Sequence, residues 1–259
     1  VAQAARAFEF DRYLAALLAP EPARPALLAL AAFAGELRRI PMMVSEPMMG
    51  HLRLQWWRDT IAAARPAGHP IADALSQAVE RHALPRDHLI EIVSACEADL
   101  DAAPFTGPDD LLQHLAAIEG RLFALAGMCL STSLSDDLTR AAGRAYGVSR
   151  LLAELPALIA QGRCPVPRTR GEAVPHIIAE AEIAPFLAHA RADRETVQGR
   201  FADMPRPARV AVLPVALVGP YLRVVERGGT VTAGQARDVV PLAKVWRLWR
   251  AHRSGRIRG

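Results

Sequence analysis

Apolar residues recur at three- and four-residue spacing along nearly the whole chain. Leu14, Leu17 and Leu18 open one stripe, and Leu27, Leu30, Phe33, Ala34 and Leu37 form a second. That period puts each set on one face of an α-helix. A third helix is predicted from about Glu46 to Ala64. Pro47 suits its first turn, where a missing N–H leaves no bond unmade, and Leu52, Trp56 and Asp59 follow along it. Trp56 and Trp57 are adjacent and so point about 100° apart; at least one is expected in the core. Asp87 precedes the apolar run Leu89, Ile92, Val93 and Cys96. Pro108-Asp109-Asp110 opens what reads as the longest clean helix, Leu111 to Leu130. Ser135-Asp136-Asp137 opens another that reaches about Leu155. The paired aspartates stand at helix N-termini, where a carboxylate accepts orphan backbone N–H bonds and opposes the positive dipole end. Capping, not metal ligation, is the expectation for both pairs.

Breakers punctuate the chain at Pro20–Pro25, Arg65–Pro70, Pro104–Pro108, Gly162–Arg170, Pro205–Pro207 and Gly228–Gly234. They are turns between helices, too short for linkers. No alternating β-branched run of strand length occurs, and no period of repeat length is visible. The reading is one all-α domain, residues 1–243, followed by a basic, tryptophan-containing tail, 244–259. The most apolar stretch, Val210 to Val225, falls short of the roughly 20 residues of a spanning helix. It also holds Pro214, Gly219, Pro220 and Arg223, so it reads as a buried helix.

Charge changes the picture only at the end. The chain has 259 residues, 51% of them hydrophobic, and a formal net charge of +4. Lys244, Arg247, Arg250, Arg253, Arg256 and Arg258 all fall in the tail, with no acid among them. Without them the remainder is slightly acidic. Trp246 and Trp249 interleave with these bases. The pattern fits an interfacial helix with aromatic anchors and snorkelling arginines on an anionic membrane, and it fits docking on an acidic partner. A final helix that packs its tryptophans into the domain has the same pattern. Lys244, Trp246, Arg247, Trp249, Arg250 and Arg253 are the candidate membrane or partner contacts. No basic face accompanies a nucleic-acid reading module, so nucleic acid is not an expected partner. Cys96, Cys129 and Cys164 lie far apart without a CxxC, which fits a reduced, cytosolic-type compartment. The N-terminal string VAQAARAFEFDRYL carries acids where a signal peptide needs an apolar run. The eight histidines lack ligand spacing, and no phosphate-loop, dinucleotide or nucleophile-elbow motif occurs.

Several strings carry a family resemblance. DRYLAALLAPEPARPALLALAAFAGE (Asp11 to Glu36) and LRLQWWRD (Leu52 to Asp59) come first. Asp99-Leu100, the Asp110-Leu111 helix start, the small-residue run Ala124 to Gly127, and Gly162-Arg163 followed by Pro167 come in the same order. From about residue 8 onward the chain resembles the squalene/phytoene synthase family. The resemblance implies a single helical domain of the isoprenoid synthase type. It also implies two facing helical segments whose aspartates hold magnesium, so that an allylic diphosphate can ionise. Magnesium takes hard oxygen ligands, typically carboxylates, phosphates and water.

This chain departs from that pattern at the acids. The first aspartate pair would fall at Arg38 and Arg39, with a further acid at Met42. The second set would fall at Glu154, Ala157 and Leu158, and Pro156 interrupts the turn after Glu154. A guanidinium cannot coordinate a cation, so no catalytic residue is assigned. Arg38 or Arg39 is expected to pair with Glu154 across the old cavity mouth. Tyr146, Arg150 and Glu154 follow one another at one-turn spacing. Either Arg150 and Glu154 form an ordinary pair on a helix surface, or the row lines a vestigial cavity that holds a polar lipid head group. The strings AFAGELRR, Ser45-Glu46-Pro47, Leu54-Gln55-Trp56-Trp57 and LLAELPALIAQGRCPVP resemble the non-catalytic branch associated with complex I assembly. That resemblance implies a binding and assembly factor for a respiratory complex I subunit or intermediate, with no cofactor. It would sit at the cytoplasmic face of a bacterial inner membrane or in the mitochondrial matrix. The alternative is a divergent magnesium-dependent prenyl synthase; a further alternative is an isoprenoid or lipid carrier.

Overall fold

The computed structural model describes residues 1–44, 46–169 and 172–258. Ser45 of the Ser45-Glu46-Pro47 string, Arg170 of one breaker and Gly259 at the end of the tail lie outside the described residues. Helices follow one another as α1 (Ala2–Phe8), α2 (Phe10–Leu17), α3 (Arg24–Met43), α4 (Pro47–Ala63), α5 (Pro70–His82) and α6 (Arg86–Ala95). Then come α7 (Pro108–Leu115), α8 (Arg121–Cys129), α9 (Asp136–Ala160), α10 (Glu180–Phe201), α11 (Arg206–Val212), α12 (Val218–Arg227) and α13 (Pro241–Ser254). Among the described residues, one antiparallel pair of two-residue strands, Ile177↔Thr232 and Ile178↔Val231, ties the loop after α9 to the loop after α12. The fold is all-α, as the three-and-four periodicity predicts.

Two helices organise the core. α3 is alanine-rich and buries Ala29, Ala31, Ala32 and Phe33 on several faces, so neighbours pack close to its backbone. Trp57 of α4 meets Phe33 edge-on with ring centroids 5.1 Å apart, while Trp56 stays 40% exposed. α9 is the longest helix, at 25 residues. It runs past the expected end near Leu155 and straight through Pro156. A proline inside a helix removes one backbone bond. Here the chain after α12 docks alongside and supplies other donors: Gly234 N donates to Pro156 O at 3.0 Å and Arg237 N to Ala153 O at 2.7 Å. One apolar cluster gathers around α9 and the later helices, and another around α3 to α6 and α8. α2 serves both, through Ala15 and Ala16.

The predicted helix from Leu111 to Leu130 is not uninterrupted. Between α7 and α8 the backbone widens into a π turn, Ala116–Gly120. It lies where this segment passes closest to α9: a Cβ on Gly143 would sit 2.4 Å from Gly120 N. Such turns are rare and gather at functional sites, and this one carries Ile118 and Glu119 to a cavity wall. The paired aspartates divide. Asp110 Oδ2 accepts from Gly107 N and Thr106 Oγ1, both at 3.0 Å, as a cap should. Asp137 instead pairs with Arg140, one turn on, at 2.6 Å.

Residues 206–227 are long and apolar enough to cross a membrane by length and composition, but 83% of the apolar window is buried in the protein. The segment is a core element broken by a 3₁₀ turn, Leu213–Leu217. α13 begins at Pro241, so the expected boundary at 243/244 falls inside a helix. Lys244, Leu248 and Ala251 are buried on it, and Ile257 is buried beyond its end.

The Gly120–Gly143 contact gives a direct test. Adding a methyl group where backbone already stands should cost about 1–3 kcal/mol. Gly143→Ala is expected to lower the urea midpoint with little change in slope. Unaltered stability would show that the two segments do not meet this closely.

Candidate functional site

A cavity of about 230 Å³ opens between α3, α6, α9 and the α7–π–α8 segment. Its wall is hydrocarbon, supplied by Leu37, Ile92, Leu111, Leu115, Leu122 and Leu151. Its polar end is built from the two segments singled out in the sequence. Arg38, Arg39 and Met42 enter from α3, and Glu154 and Leu158 from α9; Ala157 is not on the lining.

Arg38 closes the mouth. Its Nη1 lies 3.2 Å from Glu154 Oε1 and 3.4 Å from Glu9 Oε1. Glu9, only 2% exposed, also receives both guanidinium arms of Arg150, at 2.9 and 3.0 Å, and has Arg12 Nε at 3.6 Å. Arg12 pairs in turn with Glu119 of the π turn. Arg150 donates to the Tyr146 hydroxyl at 3.0 Å, which donates to Asp11 at 3.1 Å. The Tyr221 hydroxyl donates to the same Asp11 oxygen at 2.6 Å and accepts from Lys244 Nζ at 2.7 Å. Lys244 completes the chain with ion pairs to Asp11 at 3.0 Å and Asp238 at 2.7 Å.

Buried charges persist only when paired and hydrogen-bonded, and the titration behaviour reflects this. Burial pushes the Glu154 carboxyl above the usual carboxylate range, against the pull of Arg150. Glu119 moves the same way, again by burial and against Arg12. Burial works against the Arg150 charge, but Glu9 and Glu154 outweigh it and hold the guanidinium above its ordinary value. Tyr146 and Tyr221 are pushed up by burial and by the neighbouring Asp11, so both remain neutral phenols that bridge charges.

The donor set does not fit a magnesium cluster. Glu9, Glu119 and Glu154 each already hold a guanidinium. Arginine, methionine, alanine and leucine at the remaining positions offer no hard oxygen. Among the described residues, no group of three or more His, Cys, Asp or Glu side chains is placed to hold a metal ion.

The family model for squalene/phytoene synthase matches residues 5–247. The chain belongs to the squalene/phytoene synthase family. The fold agrees with that of a dehydrosqualene synthase crystallised with ligand: TM-score 0.76 at 14% identity, covering 98% of this chain and 95% of the other. Human NADH dehydrogenase (ubiquinone) complex I, assembly factor 6, is 30% identical over 153 residues, 57% of this chain and 46% of the relative. The chain thus spans about half the length of the curated relatives it matches. The bifunctional protein CrtB/UppS of Streptomyces coelicolor is 31% identical over 171 residues, 63% of this chain and 30% of that protein.

Within this family member, Arg38 meets Glu154 but Arg39 does not. Arg39 pairs with Glu36 at 3.3 Å and lies 3.7 Å over the Phe8 ring. Arg150 is not a helix-surface partner of Glu154. It is buried, Glu154 is its weaker contact at 3.6 Å, and Glu9 is its main one. Tyr146 is fully buried behind the cavity rather than on its lining. Lys244, expected at a membrane or partner surface, is 4% exposed and neutralised from within. Another face of α13 presents outward: Trp246 and Trp249 are 55% and 42% exposed and stack 5.2 Å apart, and Arg253 lies over Trp249. Arg250 is exposed and Arg247 half-buried; burial and the nearby Arg223 and Arg194 lower the Arg247 pKa.

Sequence reasoning missed Glu9, Asp11, Arg12 and Glu119. The only signal was the dense charge of Glu9-Phe10-Asp11-Arg12 on an otherwise apolar start. It also missed the exposed apolar side chains at the end of α3 and on α4, namely Met42, Met43, Met48, Met49, Leu52 and Trp56, of which Met42 lines the cavity. Four of the six methionines lie there, and that clustering was the legible sign.

The buried lysine separates a structural role from a surface one. Lys244→Met leaves Asp11 charged and short of its cation, which should cost about 3–5 kcal/mol. Adding Asp11→Asn should restore part of it. Chemical denaturation measures both, and a Lys244→Met protein as stable as the parent would contradict the buried pairing.

Proposed function

We propose that this protein works by binding rather than by condensing prenyl diphosphates, as a factor in the assembly of respiratory complex I. The observation that carries the reading is the Arg38–Glu154 ion pair at the cavity mouth. The positions that resemble a magnesium-binding pair hold guanidiniums, and the one remaining acid of the opposite segment neutralises one of them. Ionising a diphosphate demands stabilisation of charge that develops in the transition state, often several kcal/mol from each metal or donor. An arginine already bound to two carboxylates cannot supply it. The likeness to complex I assembly factor 6 supports the assembly role, with a complex I subunit or intermediate as partner and no cofactor. The cavity, or its rim, would hold a lipid or a subunit segment.

The site of action in this reading is the inner-membrane surface, on the cytoplasmic side in a bacterium or the matrix side in a mitochondrion. Trp246, Trp249, Arg250 and Arg253 form a stacked aromatic pair edged by arginine, which suits the headgroup region of an anionic bilayer. A second reading is a divergent magnesium-dependent synthase of the squalene/phytoene type, favoured by the likeness to CrtB/UppS. An isoprenoid or lipid carrier would use the same cavity without chemistry.

Two experiments decide between these. Purified protein given farnesyl or geranylgeranyl diphosphate with magnesium is expected to form no condensed hydrocarbon product; product formation would install the synthase reading. Deleting the gene is expected to lower mature complex I on native gels, and normal levels would remove the assembly role. For the membrane contact, Trp246→Ala/Trp249→Ala should reduce co-sedimentation with phosphatidylglycerol vesicles. Undiminished binding would show that α13 is not the contact.

A further inference from the structure

We infer that the cavity takes a single-chain amphiphile with an uncharged, hydrogen-bond-donating head group, and discriminates against the same chain carrying a phosphate. The inference rests on the binding reading above and specifies the ligand class of that site.

The argument begins with charge balance. Among the described residues, four guanidiniums and five carboxylates line the cavity. The mouth therefore offers no excess of positive charge to an anion, although two arginines stand at its most prominent positions. Arg38 is held by Glu154 and Glu9, and Arg39 by Glu36. Arg163, deeper on the lining, donates to the backbone carbonyls of Asp99 and Asp101. A phosphate that engaged Arg38 would have to draw it away from its partners. That would leave Glu9 and Glu154 short of a counter-charge and facing the ligand's own charge in a poorly solvated site.

An uncharged head breaks nothing. The ion-pair distances from Arg38 and Arg150 to Glu154 are both to Oε1, and the hydrogen bond from Arg38 goes to that same oxygen. Glu154 lies on the lining with 37% of its side chain exposed, so its second oxygen is left as an acceptor for a donating head group. Ile92, Leu111, Leu115 and Ile118 line the same cavity and offer the chain an apolar wall. The volume, about 230 Å³, far exceeds the roughly 10–15 Å³ that accommodates one water.

The test compares two probes with one tail, decan-1-ol and decyl phosphate, by calorimetric titration of the full chain without magnesium. Wild type should bind the alcohol at least about tenfold more tightly than the phosphate, the scale of one charge-assisted hydrogen bond. Glu154→Gln keeps the side-chain shape and frees Arg38 from one of its two carboxylates; it should raise phosphate affinity about tenfold. Arg38→Gln in addition should abolish that gain, a reversal that non-specific hydrophobic binding would not show. Wild type binding neither probe, binding phosphate as well as alcohol, or showing no gain in Glu154→Gln would each overturn the inference. The complex I measurement is independent of this one. Normal complex I with selective alcohol binding would sink the assembly role alone, and reduced complex I with phosphate-preferring protein would sink this inference alone.

Discussion

Glu9 is the constraint on which the rest of the structure depends. A carboxylate with 2% exposure in a helical core is tolerable only if cations reach it, and three do: Arg150 with two bonds, Arg38 and Arg12. Each comes from a different place in the chain. Satisfying that single charge fixes the short N-terminal helices against α3 and α9. The neighbouring Asp11 extends the same logic through Tyr146, Tyr221 and Lys244 to α12 and α13. The buried polar chain crosses between the two apolar clusters, and no member can be removed without stranding another.

This network has a consequence for the cavity beside it. The family scaffold keeps its two facing segments and its hydrocarbon wall. The polar end, however, is satisfied internally. At the two segments arginine stands against glutamate, with Arg38 paired to Glu154 and Glu9. The chamber behind them is lined mainly by hydrocarbon, and exposed methionine, leucine and tryptophan side chains stand at the end of α3 and on α4. Methionine is flexible and polarizable and adapts to irregular apolar partners. Met42 belongs both to the chamber lining and to these exposed side chains. The proposed binding role rests on that surface.

Much of the fold was legible because helices announce themselves by period. The stripe from Leu27 to Leu37 became the buried faces of α3, and Pro47 stands at the start of α4. A pairing of Arg38 or Arg39 with Glu154 was also legible, through the family resemblance of the two segments, and Arg38 is the one that makes it. Other features left weaker traces. Around Pro156, α9 carbonyls accept from Gly234 and Arg237, about 80 residues away, and no pattern within the helix announces that docking. The π turn at Ala116–Gly120 coincides with a close approach of Gly120 to Gly143 of α9, which neither segment's own pattern reveals. Lys244 looked like one more surface base in a basic tail. Its partner, Asp11, lies at the other end of the chain, and only the folded arrangement brings them together. Glu119 was silent for the same reason: a lone acid in a helical stretch normally faces water. Glu9 left only the trace of its charged neighbours Asp11 and Arg12.

The central claim is that the rim of this cavity cannot assemble divalent cations. Diffraction from crystals grown with manganese and a non-hydrolysable prenyl diphosphate analogue, recorded at the manganese edge, tests it most directly. The account predicts no anomalous peak between α3 and α9, with Arg38 still within ion-pair distance of Glu154. Ordered manganese ions bridging Glu154 and the diphosphate, with Arg38 turned away, would contradict it.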